Sequence, residues 1–261
     1  MGELIQRYLH TNTFDGSEPE YYSMQLPETP NKTMLQIIDT GYCKFVFINS
    51  FNMNILIFGA SGRTGQELVK QALSEGHIVT AFVRTPGKLN VSHERLRIIE
   101  GNVSEYKAVE NAMQNQDAVL STLGVSKQLK TDPLVIEGIS NIIKAMELFG
   151  IRRFIYLSFL AVGKGRNDAG FIIKNIISRI VKEEIEDHTK KEILINSSSL
   201  DYTIVQPPKL TNGKKKNQYR SGEIIKANSI LPSMSRADVA DFMIKQLNDK
   251  TYFKKSVRIM Y

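Results

Sequence analysis

The chain has 261 residues, a formal charge of +7 and 42% hydrophobic residues, enough for one large α/β domain or two small ones with a real core. Its single cysteine, Cys43, excludes an internal disulfide and suits a reducing cytoplasm. No apolar run approaches the length of a membrane span, and four scattered histidines with one cysteine give no metal constellation.

In chain order, residues 1–52 come first, with six acids and three bases, a net of −3 that leaves +10 on the remainder. They hold turn formers (Asp15-Gly16-Ser17, Pro27, Pro30-Asn31), no sustained period, and at most a short strand within residues 44–51. A basic leader, apolar core and small-residue cleavage site are lacking, which makes a poor signal peptide. We expect an N-terminal extension outside the fold, disordered or mis-assigned, with Met53 as the natural start and residues 53–261 as the domain. A genuine flexible arm is the alternative.

Residues 54–65 read Asn-Ile-Leu-Ile-Phe-Gly-Ala-Ser-Gly-Arg-Thr-Gly. The apolar run ends at Gly59, glycines recur at Gly62 and Gly65, and a helical pattern opens with Leu68, Val69, Ala72 and Leu73 on one face. A buried strand, a glycine turn and a helix N-terminus make an anion site, because the first N–H groups of the helix lack partners and its dipole favours negative charge. Gly59 would make the sharp turn, Gly62 would admit a pyrophosphate to the backbone, and Gly65 would let helix and strand pack closely. Ser61, Arg63 and Thr64 complete the turn. The spacing is Gly-x-x-Gly-x-x-Gly, and a second strand at residues 78–83 supplies the context that a bare glycine triplet lacks. The expected ligand is a dinucleotide.

The first helix runs over residues 63–75 and stops at Gly76, followed by strands at 77–84 and 95–100, a helix at 104–115 and a strand at 118–123. Asp132 caps and Pro133 opens the next helix, which ends at Gly150, before a strand at 153–158. After a loop at 163–170, Ile172, Ile173, Ile176, Ile177, Ile180, Val181 and Ile185 recur at helical spacing, and this helix continues to about residue 196. A strand at 202–205, closed by Pro207-Pro208, a polar loop at 211–221, a short strand at 223–227, a helix capped by Ser235 with Asp238 three residues in, and a last strand at 256–260 complete the chain. Alternating strands and helices predict a Rossmann-like, doubly wound parallel α/β sheet in one domain, with a small C-terminal substrate lobe.

In the NAD version of such a fold an acid closes the second strand and binds the ribose hydroxyls. Here that place holds Arg84, with no acid between His77 and Asn90. A guanidinium fork matches a 2′-phosphate that an acid would repel. Arg63 can reach the same phosphate, Lys88 less directly, and the expected cofactor is NADP(H). Asn102 and Val103 suit the adenine edge; Thr122, Leu123 and Gly124 lie where the cofactor crosses the sheet.

Together, Gly59-Ala60-Ser61-Gly62-Arg63-Thr64-Gly65, Phe82-Val83-Arg84, Gly101-Asn102-Val103, Ser121-Thr122-Leu123-Gly124, the stretch 201–210 with its double proline, and Ser235-Arg236-Ala237-Asp238-Val239-Ala240 resemble the atypical short-chain dehydrogenase/reductases. This is the NAD(P)H-binding group with the NmrA-like proteins and the biliverdin-IXβ/flavin reductases. Asp187-His188 followed by Asp201-Tyr202 resembles the reductase branch.

The orthodox family pair, Tyr-x-x-x-Lys, is absent: none of the ten tyrosines has a lysine four places on. Delivering hydride to an electron-poor conjugated ring needs less, since the cofactor carries the chemistry and solvent can supply the proton. Ser158 stands where the resemblance implies a hydroxyl near the nicotinamide, to bond substrate or position a water; the bland alternative is a strand-end serine bonded to backbone. The resemblance implies a second hydroxyl next to it, but the chain has Phe159, which could stack on a flat substrate. Lys209 stands at the implied substrate mouth, and His188 falls on the polar side of its helix near Glu184 and Lys191, as a surface histidine or a proton donor. Two functions follow from the resemblance: an NADPH-dependent oxidoreductase acting on a small conjugated or flavin-like acceptor, or a non-catalytic NADP(H) sensor that grips a protein partner. The dispersed bases argue against nucleic acid; Lys214, Lys215 and Lys216 are its one weak candidate site.

Overall fold

A computed structural model describes residues 52–124, 132–160, 162, 182–229 and 231–261, and the backbone of three short strands before them. Those strands, β1 (Tyr22–Met24), β2 (Leu35–Ile38) and β3 (Lys44–Phe45), pair antiparallel in the order β1-β2-β3. They lie in one unit, Met1–Phe51; everything below belongs to the other, Asn52–Tyr261. The sequence reading foresaw at most the strand at 44–51; the other two are too short and irregular to show a period.

The second unit starts with β4 (Asn54–Phe58), where Ile55, Leu56, Ile57 and Phe58 are fully buried. A strand buried on both faces reads as a continuous apolar run, the mark of a parallel sheet covered by helices on both sides. Alternation along β4 sorts the two layers. Ile55 and Ile57 pack with Leu68 and Val69 of α1 (Arg63–Ser74) and Val239 and Ala240 of α5 (Arg236–Lys245). Leu56 and Phe58 pack with Val109 of α2 (Tyr106–Ala112) and Ile139, Ile142 and Met146 of α3 (Pro133–Phe149).

The other strands of the main sheet are β5 (Ile78–Val83), β6 (Leu96–Glu100), β7 (Ala118–Ser121), β8 (Arg153–Leu157), β9 (Asp201–Gln206), β11 (Arg220–Gly222) and β13 (Lys255–Met260), in the order β11-β13-β9-β8-β7-β4-β5-β6. All pairs are parallel except β11 on β13, an antiparallel edge. From β4 the chain winds outward through β5 and β6, then returns to lay β7 on the other side of β4. The doubly wound α/β expectation holds, and the order reverses between β4 and β7, where such sheets open a crevice.

Local signals hold where they are strong. Asp132 accepts the Leu134 N–H at 3.1 Å and Pro133 opens α3; Ser235 accepts the Asp238 N–H at 3.0 Å at the start of α5. At the end of the expected long helix stands α4 (Lys182–Asn196); the stripe from Ile172 to Val181 and the loop 163–170 lie outside the described residues. Two details differ. The late edge strand is Arg220–Gly222, not residues 223–227, because its register is set by pairing Ser221 with Ile259. A small parallel pair, β10 (Lys209–Thr211) with β12 (Ser233–Ser235), went unforeseen, since three residues carry no period.

Candidate functional site

A cleft of about 1100 Å³ lies along the carboxyl ends of the strands, over the reversal point. Its floor is the turn after β4. Gly59 has φ of 76°, and a Cβ there would stand 2.8 Å from Thr122 Oγ1, so both backbone and space demand glycine. A Cβ on Gly65 would lie 2.1 Å from the Gly59 carbonyl oxygen, so α1 packs on the turn only through a bare α-carbon. Thr122 fastens the turn to β7: its hydroxyl donates to the Gly59 carbonyl at 3.1 Å and its N–H to the Phe58 carbonyl at 3.0 Å. The first bond of α1 is from Gln66 N to Gly62 O, 2.8 Å. The N–H groups of Arg63, Thr64 and Gly65 therefore precede helical pairing on the cleft wall, a cradle suited to a phosphate anion.

At the β5 end, Arg63 and Arg84 both line the cleft, both are exposed, and neither has a carboxylate partner among the described residues. Lys88 does not line the cleft; its carbonyl accepts from Gln66 Nε2 at 3.2 Å. Asn102 accepts the Ser104 N–H on its side-chain oxygen, 3.3 Å, which shapes the loop after β6. Buried Asn141 of α3 holds that loop from below, donating to the carbonyls of Val103 (3.0 Å) and Ser104 (3.2 Å). Ser61, Gly62, Val103, Leu123 and Gly124 line the same wall.

At the β8–β9 end the wall is formed by Ser158, Phe159, His188 and Lys209, with Lys209 exposed and Phe159 half-buried. Apart from Lys88, the residues singled out from the sequence as cofactor, catalytic or substrate candidates thus reach one cleft. His188 is not a surface residue as its helical position suggested. It is 5% exposed, with Nδ1 2.8 Å from the hydroxyl of fully buried Tyr156. Burial, then Glu192 and Asp187, hold the Tyr156 phenol well above its ordinary pKa, so it keeps its proton; where it donates to Nδ1, the hydrogen of neutral His188 sits on Nε2. Burial, and then the Lys191 ammonium, push the His188 pKa down to about 3. It can donate a hydrogen bond as a neutral ring but is not an imidazolium acid at pH 7.

Ser158 is bonded to more than backbone. Its N–H donates to the Val205 carbonyl at 2.8 Å, and its hydroxyl to Glu192 Oε1 at 2.5 Å. Glu192 also accepts from Gln206 Nε2 at 3.0 Å, and next to it lies a fully buried ion pair, Asp187 with Lys191. Burial raises the Glu192 carboxyl pKa, partly offset by the Ser158 and Gln206 donors. No motif marks Glu192, Tyr156 or Asn141; Arg236 stands in the Ser235–Ala240 motif, but the sequence assigned it no role. Arg236, the first residue of α5, lines the cleft, and its guanidinium pKa is lowered by burial and by Arg63.

Much of the basic run is committed elsewhere. Lys215 pairs with Asp241 at 2.6 Å, the N–H groups of Lys216 and Asn217 bond to Asp238, and the Lys216 ammonium sits 4.1 Å from the Tyr261 ring centre. Among the described residues no helix is long and apolar enough to cross a membrane, and no group of three or more metal-ligating side chains occurs.

Known proteins resemble this chain in sequence and in fold. The photosystem II assembly factor Ycf39 of Synechocystis is 25% identical over 224 residues, covering 80% of this chain and 62% of that protein, so the chain spans less than two thirds of that relative. A short-chain dehydrogenase/reductase of Veillonella parvula, solved in complex with NADP, superposes with a TM-score of 0.67 at 22% identity over 80% of this chain and 94% of that one. ChuY of Escherichia coli O157:H7, described as an anaerobilin reductase, superposes with a TM-score of 0.65 at 22% identity over 79% and 96% of the two chains. At such identities the superpositions establish the fold. Residues 59–250, which hold the glycine turn, the arginine corner and the Ser158 wall, match the model of the NAD(P)H-binding family, and the chain belongs to that family.

Proposed function

We propose that the protein is an NADPH-dependent reductase of a small conjugated or flavin-like acceptor. The carrying observation is that one continuous cleft joins the phosphate cradle and the arginine corner to the Ser158, Phe159 and His188 wall. Its volume of about 1100 Å³ lies just above the usual range for a single small ligand, roughly 300–1000 Å³, which leaves room for an acceptor beside a dinucleotide. The glycine turn has the bare α-carbons and the orphan N–H groups that a pyrophosphate needs. Arg63 and Arg84, without carboxylate partners among the described residues, favour the phosphorylated cofactor over NAD(H).

Bound there, reduced nicotinamide would supply a hydride. The chain's own residues have simpler tasks. Phe159 stacks against a flat acceptor, His188 donates from Nε2 to an acceptor carbonyl, and Lys209 attracts an anionic group at the mouth. A single cysteine in the chain supports a cytoplasmic home.

A second reading is a non-catalytic NADP(H) sensor that binds a protein partner. It is favoured by the placement of Tyr156, whose phenol is buried against His188 instead of facing the cleft, and by a relative whose name is that of an assembly factor. NADPH oxidation against flavins, quinones and linear tetrapyrroles separates the two. Turnover with at least one is expected; tight NADPH binding with turnover of none moves the assignment to the sensor.

A further inference from the structure

We propose that Glu192, a positioning residue that acts only through Ser158, is the proton reservoir of the cleft. Ser158 lies on the wall and Glu192 behind it, 6% exposed, and their oxygens are 2.5 Å apart. Gln206, 3% exposed, fixes the carboxyl from β9 by donating to the same Oε1 at 3.0 Å. Glu192 is not part of the cleft wall, so its shortest exchange with a ligand runs through the serine oxygen. This inference rests on the reductase reading.

An acceptor that takes a hydride on carbon develops negative charge on a conjugated oxygen or nitrogen and needs one proton there. With Glu192 neutral and its proton on Oε1 donating to Ser158 Oγ, the Ser158 O–H turns from the carboxyl to the acceptor and breaks as its proton forms the new bond to that atom, while the Glu192 O–H breaks as its proton restores the serine hydroxyl. Glu192 ends as a carboxylate held by two donors, Ser158 and Gln206, and regains its proton from water in the emptied cleft through Ser158. The hydride and its electron pair come from a reduced nicotinamide. Burial favours the neutral acid that starts the sequence. Among the described residues, the ionisable groups near it include Tyr156 on β8, Asp187, His188 and Lys191 on its own helix, and Arg258 on β13, opposite Gln206 in register; Asp132 at the head of α3 faces the Asp187–Lys191 pair, its N–H donating to Asp187. Gln206 on β9 is neutral. Asp187 and Lys191 compensate each other as a pair, and among the described residues the influences on the Glu192 carboxyl are burial and its Ser158 and Gln206 donors, not an unpaired cation.

Infrared titration of the whole protein, with Glu192→Gln as the difference partner, should show a protonated carboxyl stretch assigned to Glu192 near neutral pH, lost as the solution turns alkaline. For an acceptor found in the panel, Glu192→Gln should lower kcat about 10²- to 10⁴-fold, the usual worth of a positioned acid. It should also abolish the alkaline fall in kcat, with KM for the acceptor and Kd for NADPH within about twofold. Ser158→Ala should lower kcat to the same level, while Ser158→Thr, which keeps the hydroxyl, should recover most of it. A Glu192 carboxylate band at neutral pH overturns the inference without any acceptor. Unchanged kcat and pH profile in Glu192→Gln overturn it while leaving the reductase reading intact. A panel with no turnover overturns both.

Discussion

Replacing Lys191 by methionine isolates the buried charge pair under the cleft. Lys191 and Asp187, one turn apart on α4, are both fully shielded from water. Burial lowers the Lys191 pKa, opposed by its hydrogen bond and charge interaction with Asp187. Methionine keeps the length and the apolar stem but strands the carboxylate, which retains only the Asp132 N–H at 3.3 Å among the described groups. Breaking one side of a buried pair costs about 3–5 kcal/mol, and the remaining donor argues for the lower end, about 3 kcal/mol. A domain this size loses about 2–4 °C of Tm per kcal/mol, so the melting point should fall by about 6–12 °C. Adding Asp187→Leu removes the orphaned charge, and the double variant should recover most or all of the loss. Urea and thermal unfolding at pH 7, arranged as a double-mutant cycle, measure both terms. Neither residue lines the cleft, so Kd for NADPH should stay within about twofold. A single variant that loses under about 1 kcal/mol, or a double variant no more stable than the single, refutes the account.

Further outcomes are expected from the same geometry. Arg84→Ala should weaken NADPH by about 10- to 100-fold, the worth of a lost charge-assisted contact, and leave NADH nearly unchanged; fluorescence titration of both cofactors reads this, and equal losses would remove the 2′-phosphate assignment. Gly65→Ala puts a Cβ 2.1 Å from the Gly59 carbonyl oxygen, so the turn must move: a loss of about 1–3 kcal/mol or more should accompany loss of NADPH binding, while Gly124→Ala, with open space around its α-carbon, should keep the stability. His188 has a folded pKa near 3, below its unfolded value of about 6.5. The unfolded chain therefore binds the proton first, and the stability His188 contributes is present above pH 6.5 and lost as pH falls toward 3. The expected slope is about 1.4 kcal/mol per pH unit. Urea midpoints between pH 6.5 and 4 should fall less steeply in His188→Gln than in the natural chain; parallel curves would mean that the ring is not held neutral.

The parts that could be read from sequence are those written locally. Gly59, Gly62 and Gly65 announce the turn because adjacent residues make it, and Arg84 follows from its place at the end of a recognisable strand. Asp132-Pro133 and Ser235 mark helix starts within three residues of the bonds they form. The site's interior was different. His188 looked solvent-facing because its helix carries Glu183, Glu184, Glu186, Lys190 and Lys191 on mixed faces, so no apolar stripe told inside from outside. Lys214, Lys215 and Lys216 read as one basic patch, yet Asp241 and Tyr261 take two of them.

Sequence alone settled the class of fold, the order of its main elements and the glycine turn after β4, since each depends on a run of neighbours and on hydrophobic period. Tertiary structure alone decided what stands behind the cleft. Ser158, Glu192 and Gln206, or Tyr156 and His188, meet across 14 to 34 residues of chain. Polar side chains so far apart carry no signal of their partners until the sheet brings them together. What they become then depends on burial, which leaves the lysine paired, the histidine neutral and the Glu192 carboxyl with a raised pKa.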